Sequence, residues 1–234
     1  MKVTQETEHL FRLTQFGLVN CYLLSESDGL TLIDAGLPGS AKSILQTVQK
    51  LHAPLRRIVL THAHFDHIGA LDSLMAIIPN LELLIGQREA RLLARDLRLE
   101  EGERGKSLMG FWGAKSNPTR LLGDGAQIGS LKAIASPGHT PGHMAFLDTR
   151  DSTLIAGDAF TTQNGLLVAG VFRATFPFPA LFSWNGALGL RSALRLRQER
   201  PNFLATGHGR SIAAPQSAID RAIEEALRQY RQAK

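Results

Sequence analysis

The chain has 234 residues, of which 44% are apolar and 20% are charged. This length allows a large buried core, and the composition excludes a disordered chain. The formal net charge is +5 at pH 7, but the basic residues are dispersed, and the densest run, residues 191–200, is typical of a solvated helix face. No apolar run approaches the roughly 20 residues of a transmembrane helix, and residues 1–6 are polar. We therefore expect a cytoplasmic protein with no membrane partner.

The first third of the chain predicts a strand meander followed by alternating helices and strands. Gly17 and the pair at 28–29 supply turns between the first three strands, and Ser40 is placed to cap the first helix. The predicted order is strand 8–14, strand 18–24, strand 30–33, helix 40–51, strand 57–60, helix 68–78, strand 82–85 and helix 87–97.

Two irregular segments interrupt this alternation, at 98–120 and 160–180. Long segments without periodicity are frequently functional. Between and after them the pattern predicts strands within 120–135, 144–148, 153–156 and 202–205, and helices at 181–199 and 215–232. We expect one domain, residues 1–234, of the α/β (α+β) class, in which two mixed sheets pack face to face with helices outside.

Cys21 is the only cysteine of the chain. It lies in the apolar run 18–24, which predicts a thiol in a buried strand rather than a nucleophile. No intrachain disulfide can form, and any metal site must use nitrogen and oxygen ligands. Such ligands favour a catalytic metal site over a cysteine-rich structural zinc site.

Four side chains that can bind a metal, His62, His64, Asp66 and His67, lie within six residues. They follow the predicted strand 57–60 at the point where a helical pattern begins. Residues two apart on extended backbone project in the same direction, so we expect the first two histidines to project together. Imidazole and carboxylate ligands suit zinc or another first-row metal. The cluster therefore predicts a metal site.

Further residues of this kind lie at the ends of other predicted strands. His139 and His143 follow the strand that ends near residue 135, Asp158 follows the strand 153–156, and His208 follows the strand 202–205. A glycine precedes each of them, which lets the backbone turn sharply toward a shared centre. Together, these strand ends strengthen the prediction of a metal site.

The motifs resemble those of the metallo-β-lactamase superfamily over essentially the whole chain. All five motifs of that family are present in order, and they are carried by Asp34, His62-x-His64-x-Asp66-His67, His139, Asp158 and His208. The resemblance implies a four-layer αββα sandwich. It also implies that His62, His64 and His139 hold one metal ion, that Asp66, His67 and His208 hold a second, and that Asp158 bridges them. By the same resemblance, Asp34 and His143 support the site without binding metal.

The resemblance implies a dinuclear metal-dependent hydrolase. We expect two divalent ions, zinc first, with iron or manganese as alternatives. Seven ligands leave a position for water on each ion, and two ions lower the pKa of a bridging water enough to give hydroxide at neutral pH. Asp66 is expected to orient this metal-bridging hydroxide or accept a proton, and either Asp158 or a metal-bound water is expected to protonate the leaving group.

The expected substrate is a small molecule with an ester, thioester or lactone bond. Aromatic residues of the irregular segments form either an apolar rim for this substrate or packed core; they are Phe111, Trp112, Phe172, Phe176 and Phe178. The chain is lactonase-like in its motifs, but its only tyrosines, Tyr22 and Tyr230, do not match the substrate-binding tyrosine of the quorum-quenching lactonases. Glyoxalase II enzymes carry a helical substrate domain after the last histidine, whereas one predicted helix follows His208 here. The sequence leaves the oligomeric state open, with a homodimer as one possibility.

Two alternatives use the same ligands. A phosphodiesterase or RNA nuclease would draw on the net charge of +5, although no nucleic-acid motif accompanies it, so nucleic acid is not the expected partner. A mononuclear iron enzyme similar to persulfide dioxygenases would instead bind one iron per chain.

Overall fold

The computed structural model describes residues 1–232, except for the side chains of residues 179 and 232. The chain divides into two compact units; one of the breaks, at 109/110, falls inside the predicted irregular segment 98–120, and the other two, at 96/97 and 122/123, lie just outside it. The first unit comprises Met1–Asp96 and Gly110–Leu122, and the second comprises Leu97–Met109 and the chain from Gly123 onward.

Within residues 1–232, the first unit contains a mixed sheet of seven strands in the order β1 to β7. Strands β1 to β4 pair antiparallel, and β4 to β7 pair parallel. Strands β4 to β6 are mostly buried, as expected when both faces of a sheet are covered, whereas β7 at the edge is mostly exposed. The strands are β1 Lys2–Gln5, β2 Leu10–Gln15, β3 Val19–Glu26, β4 Gly29–Ile33, β5 Leu55–Leu60, β6 Glu82–Gly86 and β7 Arg120–Leu122; the helices are α1 Ala41–Lys50, α2 Phe65–Ile68, α3 Leu71–Ile77 and α4 Gln87–Leu93.

The second unit contains a mixed sheet of six strands among the described residues, in the order β15-β14-β11-β10-β9-β8. Only β11 and β14 pair parallel in this sheet, and β12 and β13 form a separate hairpin within the same described part. The strands are β8 Gln127–Ile128, β9 Leu131–Ala135, β10 Met144–Asp148, β11 Thr153–Ile155, β12 Phe160–Thr161, β13 Leu167–Val168, β14 Phe203–Ala205 and β15 Ile212–Ala213; the helices are α5 Phe178–Phe182, α6 Gly186–Gln198 and α7 Gln216–Gln232.

Helices α6 and α7 pack against each other and cover the core of the second unit. The predicted apolar face of the last helix is buried, with Ile219 and Ala226 fully inaccessible to solvent. They pack with Leu154 of β11 and Leu204 of β14 in one hydrophobic cluster. Both units therefore combine a mixed sheet with helices, and the predicted fold class of two mixed sheets flanked by helices is confirmed. That the chain is one domain stays a prediction.

The element bounds correct four details of the sequence interpretation. The helix predicted at 87–97 ends at Leu93, because Arg95 adopts a left-handed φ of 61°. The helix predicted at 181–199 begins at Gly186, since Ser183 is extended. Ser40 precedes α1 but makes no capping hydrogen bond, and its hydroxyl contacts the carbonyl of Leu37 instead. The segment 160–180 is not wholly irregular, because it contains the β12–β13 hairpin and the start of α5.

Two composition-based interpretations are confirmed. Cys21 is fully buried, and burial raises the pKa of its thiol far above the ordinary value, so it is a core residue. The basic run 191–200 is a solvated helix face, on which Arg195 pairs with Asp124 and Arg197 with Asp220. Among residues 1–232, none of the helices has the length and apolar character that a membrane crossing requires.

Candidate functional site

In the first unit, parallel pairing of β4 and β5 brings the ends of both strands to one edge of the sheet. Ile33 lies opposite Val59, so Asp34 and Thr61 follow neighbouring strand ends. The amide of Asp34 donates to the carbonyl of Val59 at 3.0 Å. The amide of Thr61 donates to Asp34 Oδ1 at 2.8 Å, and its hydroxyl donates to Asp34 Oδ2, also at 2.8 Å. Both residues are buried, so this carboxylate is a fixed acceptor at the strand ends.

The same carboxylate contacts His67, which lies on the short helix α2. Asp34 Oδ2 is 2.8 Å from His67 Nδ1. Backbone bonds hold the helix in place: the amide of Ala35 donates to the carbonyl of His67 at 2.6 Å, and the amide of Gly69 donates to Gly36 at 2.7 Å. A Cβ at Gly69 would overlap the turn that follows Gly36, so the close approach requires glycine.

The histidines of the cluster lie together in this unit. The ring centroid of His62 is 4.7 Å from that of His64 and 4.0 Å from that of His67, and all three residues are buried. His67 Nε2 is 3.8 Å from Asp66 Oδ2. The Thr61 hydroxyl, which donates to Asp34, faces His62 Nδ1 at 3.0 Å, so its oxygen is placed to accept the Nδ1–H of His62. This arrangement presents Nε2 as the ligand atom.

In the second unit, Asp158 and His208 are brought together by parallel pairing of β11 and β14. The pairing continues past the strands, because the amide of Ala156 donates to Ala205 at 2.8 Å and the amide of Gly207 donates to Gly157 at 2.9 Å. His208 Nε2 lies 3.2 Å from Asp158 Oδ2. Two parallel strands that end at one edge thus deliver a carboxylate and an imidazole to the same point.

His139 and His143 occupy the loop between β9 and β10 in the same unit. His139 Nε2 lies 3.4 Å from Asp158 Oδ2, so one carboxylate oxygen contacts two imidazoles. His143 Nδ1 is 2.9 Å from Ser136 Oγ, and its Nε2 accepts the backbone N–H of Asp158 at 3.1 Å. His143 therefore holds the backbone of Asp158 with the nitrogen that would otherwise be a ligand atom.

The predicted rim aromatics divide into buried and exposed side chains. In the first unit, Phe111 is buried with its ring 4.6 Å from that of His64, whereas Trp112 is 62% exposed and stacks on Phe65 at 4.5 Å. In the second unit, Phe172 and Phe178 are both 54% exposed. Phe176 is partly buried and lies 5.4 Å from Phe178, ring to ring. Phe111 is thus core, whereas Trp112, Phe172 and Phe178 are not.

Several residues that support the candidate ligands had not been identified from the sequence. Glu89, at the start of α4, accepts the amide N–H of Ala63 at 2.9 Å and is fully buried. Ser183 Oγ lies 3.2 Å from His139 Nδ1, although the two residues are 44 positions apart. Parallel pairing of β5 and β6 was a signal for Glu89, whereas no pattern pointed to the serine. The full set is Thr61, Glu89, Ser136 and Ser183.

The donor atoms fit a divalent metal. Each candidate ligand offers one atom, an imidazole nitrogen or a carboxylate oxygen, and the chain adds no thiolate because Cys21 is buried. Nitrogen and oxygen donors of this kind are used by zinc, iron and manganese enzymes. Within each unit, the His and Asp side chains form a cluster that can supply ligands to a metal ion; the clusters are His62, His64, Asp66 and His67 in the first unit and His139, Asp158 and His208 in the second.

Comparisons with known proteins identify metal-dependent hydrolases as relatives of this chain. The sequence pattern described as the metallo-beta-lactamase superfamily matches residues 14–208. The uncharacterized protein YobT of Bacillus subtilis is 44% identical over 231 residues, which cover 97% of this chain and 99% of YobT. The probable metallo-hydrolase YflN of the same organism is 29% identical over 218 residues, 82% of this chain and 81% of YflN. The hydroxyacylglutathione hydrolase of Vibrio campbellii is 27% identical over 195 residues, 83% of this chain and 64% of that enzyme.

Solved structures show the same fold. The metallo-beta-lactamase from Pontibacter korlensis superposes with a TM-score of 0.72 over 97% of this chain and 98% of that chain, at 16% identity. TTHA1623 in a di-iron-bound form superposes with a TM-score of 0.63 over 88% of this chain and 94% of that chain, at 26% identity.

Asp34→Asn tests the role of the carboxylate behind His67. The asparagine amide nitrogen cannot accept the Nδ1–H of His67, so we expect metal affinity to fall by about 10–100-fold. A chelator competition assay measures this affinity. Asp72→Asn is the matched control, since Asp72 also accepts three bonds, from the amides of Lys115 and Ser116 and the Ser116 hydroxyl. An equal loss in both variants would contradict a specific role of Asp34.

Proposed function

From the premise that the chain belongs to the metallo-β-lactamase superfamily and is a metal-dependent hydrolase, we propose that it holds two metal ions and cleaves ester, thioester or lactone bonds in small molecules. The observation that carries this proposal is the position of Asp158. Its Oδ2 lies within 3.4 Å of His139 Nε2 and 3.2 Å of His208 Nε2. One carboxylate oxygen between two imidazoles is the arrangement that a bridging ligand requires.

The ligands divide between the ions according to the family motifs. In this assignment, His62, His64 and His139 hold one ion, and Asp66, His67 and His208 hold the other. The contacts of the second unit fit this assignment, because Asp158, which both ions would share, lies against one imidazole assigned to each ion. The contacts of the first unit support it also, since Asp66 and His67, which share an ion, approach within 3.8 Å.

The buried polar groups next to the histidines prepare them for ligation. Asp34 faces Nδ1 of His67, and Thr61 faces Nδ1 of His62. Each contact leaves the proton on Nδ1 and turns Nε2 toward the metal, which is the usual arrangement of a metal-binding histidine. A carboxylate partner also makes the imidazole a stronger ligand, so His67 gains more than His62 does.

Two divalent ions, when bound, supply hydroxide at neutral pH and polarise the carbonyl oxygen of the substrate. The chain's own residues direct the proton transfers. Asp66, whose side chain is only 16% exposed, would hold the ion with one carboxylate oxygen, and with the other it orients the attacking water and accepts its proton. Asp158 takes a proton from solvent at Oδ1, because Oδ2 is turned toward His139 and His208, and passes it to the leaving group; Asp66 releases to solvent the proton that it accepted.

The metal is expected to be zinc, with iron or manganese as alternatives. The donor set contains imidazoles and carboxylates and no thiolate, which suits all three metals. The di-iron form of TTHA1623 supports the iron alternative.

The substrate class rests on the exposed aromatics and on one relative. Trp112 is exposed to 62% and is stacked on Phe65, whereas a packed core residue would be buried. Such a surface suits an apolar acyl chain or ring. The name of the hydroxyacylglutathione hydrolase from Vibrio campbellii describes an acyl group joined to a thiol, which supports a thioester among the candidate substrates.

The nuclease alternative has weaker support. Its basis is the net charge of +5, but several arginines form ion pairs with carboxylates. A phosphate-binding surface needs guanidinium groups that face solvent together. The pairs include Arg57 with Asp28, Arg150 with Asp148, Arg173 with Glu225, Arg195 with Asp124 and Arg197 with Asp220.

Asp158→Ala tests the shared ligand. Without its carboxylate we expect the chain to lose one or both ions, and turnover of an ester substrate to fall at least about a hundredfold. Metal content by mass spectrometry and the turnover number measure the two effects. Asp220→Ala on α7 is the control, because it removes a carboxylate from an exposed ion pair. Full metal content and full turnover in Asp158→Ala would overturn the shared role.

Trp112→Ala tests the acyl surface. If this ring contacts the acyl group, KM should rise more for long-chain esters than for acetyl esters, because about 0.8 kcal/mol of apolar contact is lost for each buried methylene. Steady-state kinetics over a series of chain lengths measures the trend. Leu121→Ala on β7 is the control, as Leu121 is similarly exposed, at 52%. Equal changes in KM at every chain length would contradict the assignment.

A further inference from the structure

Ser183 is placed to control the orientation of His139. Its hydroxyl oxygen lies 3.2 Å from His139 Nδ1, and the two residues are 2% and 4% exposed. We propose that Ser183 is a positioning residue, which accepts the Nδ1–H of His139 and thereby holds Nε2 toward Asp158. This inference rests on the proposed function, in which His139 is a metal ligand.

Backbone hydrogen bonds on the C-terminal side of Ser183 hold its hydroxyl beside His139. The amide of Trp184 donates to the carbonyl of His139 at 2.9 Å, and the amide of Asn185 donates to the carbonyl of Gly138 at 2.8 Å. Ser183 itself is extended, with ψ of 131°, so it joins the end of α5 to this pair of bonds. These two consecutive backbone hydrogen bonds fix the distance between the two loops. That distance places the Ser183 hydroxyl beside His139.

A third segment, residues 104–106, holds the other side of the same stretch. The amide of Lys106 donates to the carbonyl of Trp184 at 2.8 Å, and its Nζ donates to the carbonyl of Ala180 at 3.0 Å. The Asn185 side chain donates to the carbonyl of Arg104 at 2.6 Å. Gly105 lies so close to the indole of Trp184 that a Cβ there would overlap the ring. Residues 180–185 are therefore fixed from both sides, which gives Ser183 little freedom to leave the imidazole.

The side-chain capping of α6 supports the same geometry. Asn185 accepts the amide N–H of Leu188 at 3.0 Å, so the helix begins directly after the bonded stretch. This cap explains why the helix cannot extend back through Ser183. The extended serine is thus a consequence of local bonds, and its contact with His139 is the polar partner that a ligating imidazole needs on Nδ1.

Ser192, on α6, provides a matched control that contacts the same loop. Its hydroxyl donates to the carbonyl of Pro137 at 2.6 Å, two residues before His139, and the residue is 5% exposed. Ser192→Ala therefore removes a buried hydroxyl that supports the loop and leaves the imidazole contact intact. Ser183→Ala removes the imidazole contact. A difference between the two variants separates positioning of the ring from general support of the loop.

The test measures zinc affinity of the intact protein by competition with a chromophoric chelator, together with NMR of the histidine ring protons in the zinc-loaded protein. For Ser183→Ala we expect affinity at one of the two zinc positions to fall by about 10–100-fold, with faster exchange of the Nδ1 proton of His139. Ser192→Ala should retain wild-type affinity and the protected proton. Ser183→Thr keeps a hydroxyl and should restore both readouts, which separates the effect from a failure to fold.

Two results would overturn the inference. The first is unchanged zinc affinity and an unchanged Nδ1 proton in Ser183→Ala while the wild-type chain binds two zinc ions; the proposed function would then stand without this role. The second is an equal loss of affinity in Ser192→Ala and Ser183→Ala, which would assign the effect to the loop. A wild-type chain that binds no zinc, iron or manganese would contradict the proposed function itself.

Discussion

Parallel pairing of neighbouring strands is the constraint on which the candidate ligand cluster of each unit depends. Strands β4 and β5 end at one edge of the first sheet, which places Asp34 beside Thr61. Strands β11 and β14 end at one edge of the second, which places Asp158 beside His208. Parallel strands run in the same direction, so their carboxyl ends lie side by side at one edge of the sheet. Residues far apart in sequence thereby become neighbours. The pairs of apolar strands thus support the polar residues that follow them.

Hydrogen bonds to the candidate histidine ligands orient their imidazole rings. Asp34 and Thr61 face the Nδ1 atoms of His67 and His62, and Ser183 faces that of His139. Histidine can bind metal through either nitrogen, so the partner of Nδ1 decides which nitrogen is presented. His143 shows the opposite use, because its Nε2 accepts the amide of Asp158. These four histidines therefore make hydrogen bonds of two different kinds.

Sequence reasoning reached the elements with strong periodicity and the ligand-type residues at strand ends. The apolar runs predicted β3, β5 and β10 closely, and the last helix was predicted within one residue at its start. Sequence reasoning missed β1, because Lys2–Gln5 is mostly polar and pairs only with β2 at the edge of the sheet. It also extended the helix at 181–199 through Ser183. Helical propensity there is overridden by bonds to the loop of His139, which no local pattern reveals.

The residues that support the candidate ligands are harder to predict than the ligands themselves, because their contacts join distant parts of the chain. The candidate ligands of the first unit are recognisable in the sequence because all four lie within six residues: His62, His64, Asp66 and His67. Ser183 is an ordinary serine whose partner lies 44 positions away. Its role depends on the exact course of two loops, and such contacts appear only when the backbone is folded. The aromatic segments show the same limit, since sequence did not distinguish the buried Phe111 from the exposed Trp112.

The central claim of the proposed function is that one chain binds two divalent metal ions. Native mass spectrometry of the purified protein, with the metal identified by elemental mass spectrometry on the same sample, tests this claim most directly. The account predicts two divalent ions per chain, with loss of both ions and of ester hydrolysis on chelation. A stoichiometry of one iron per chain in a fully active sample would contradict it.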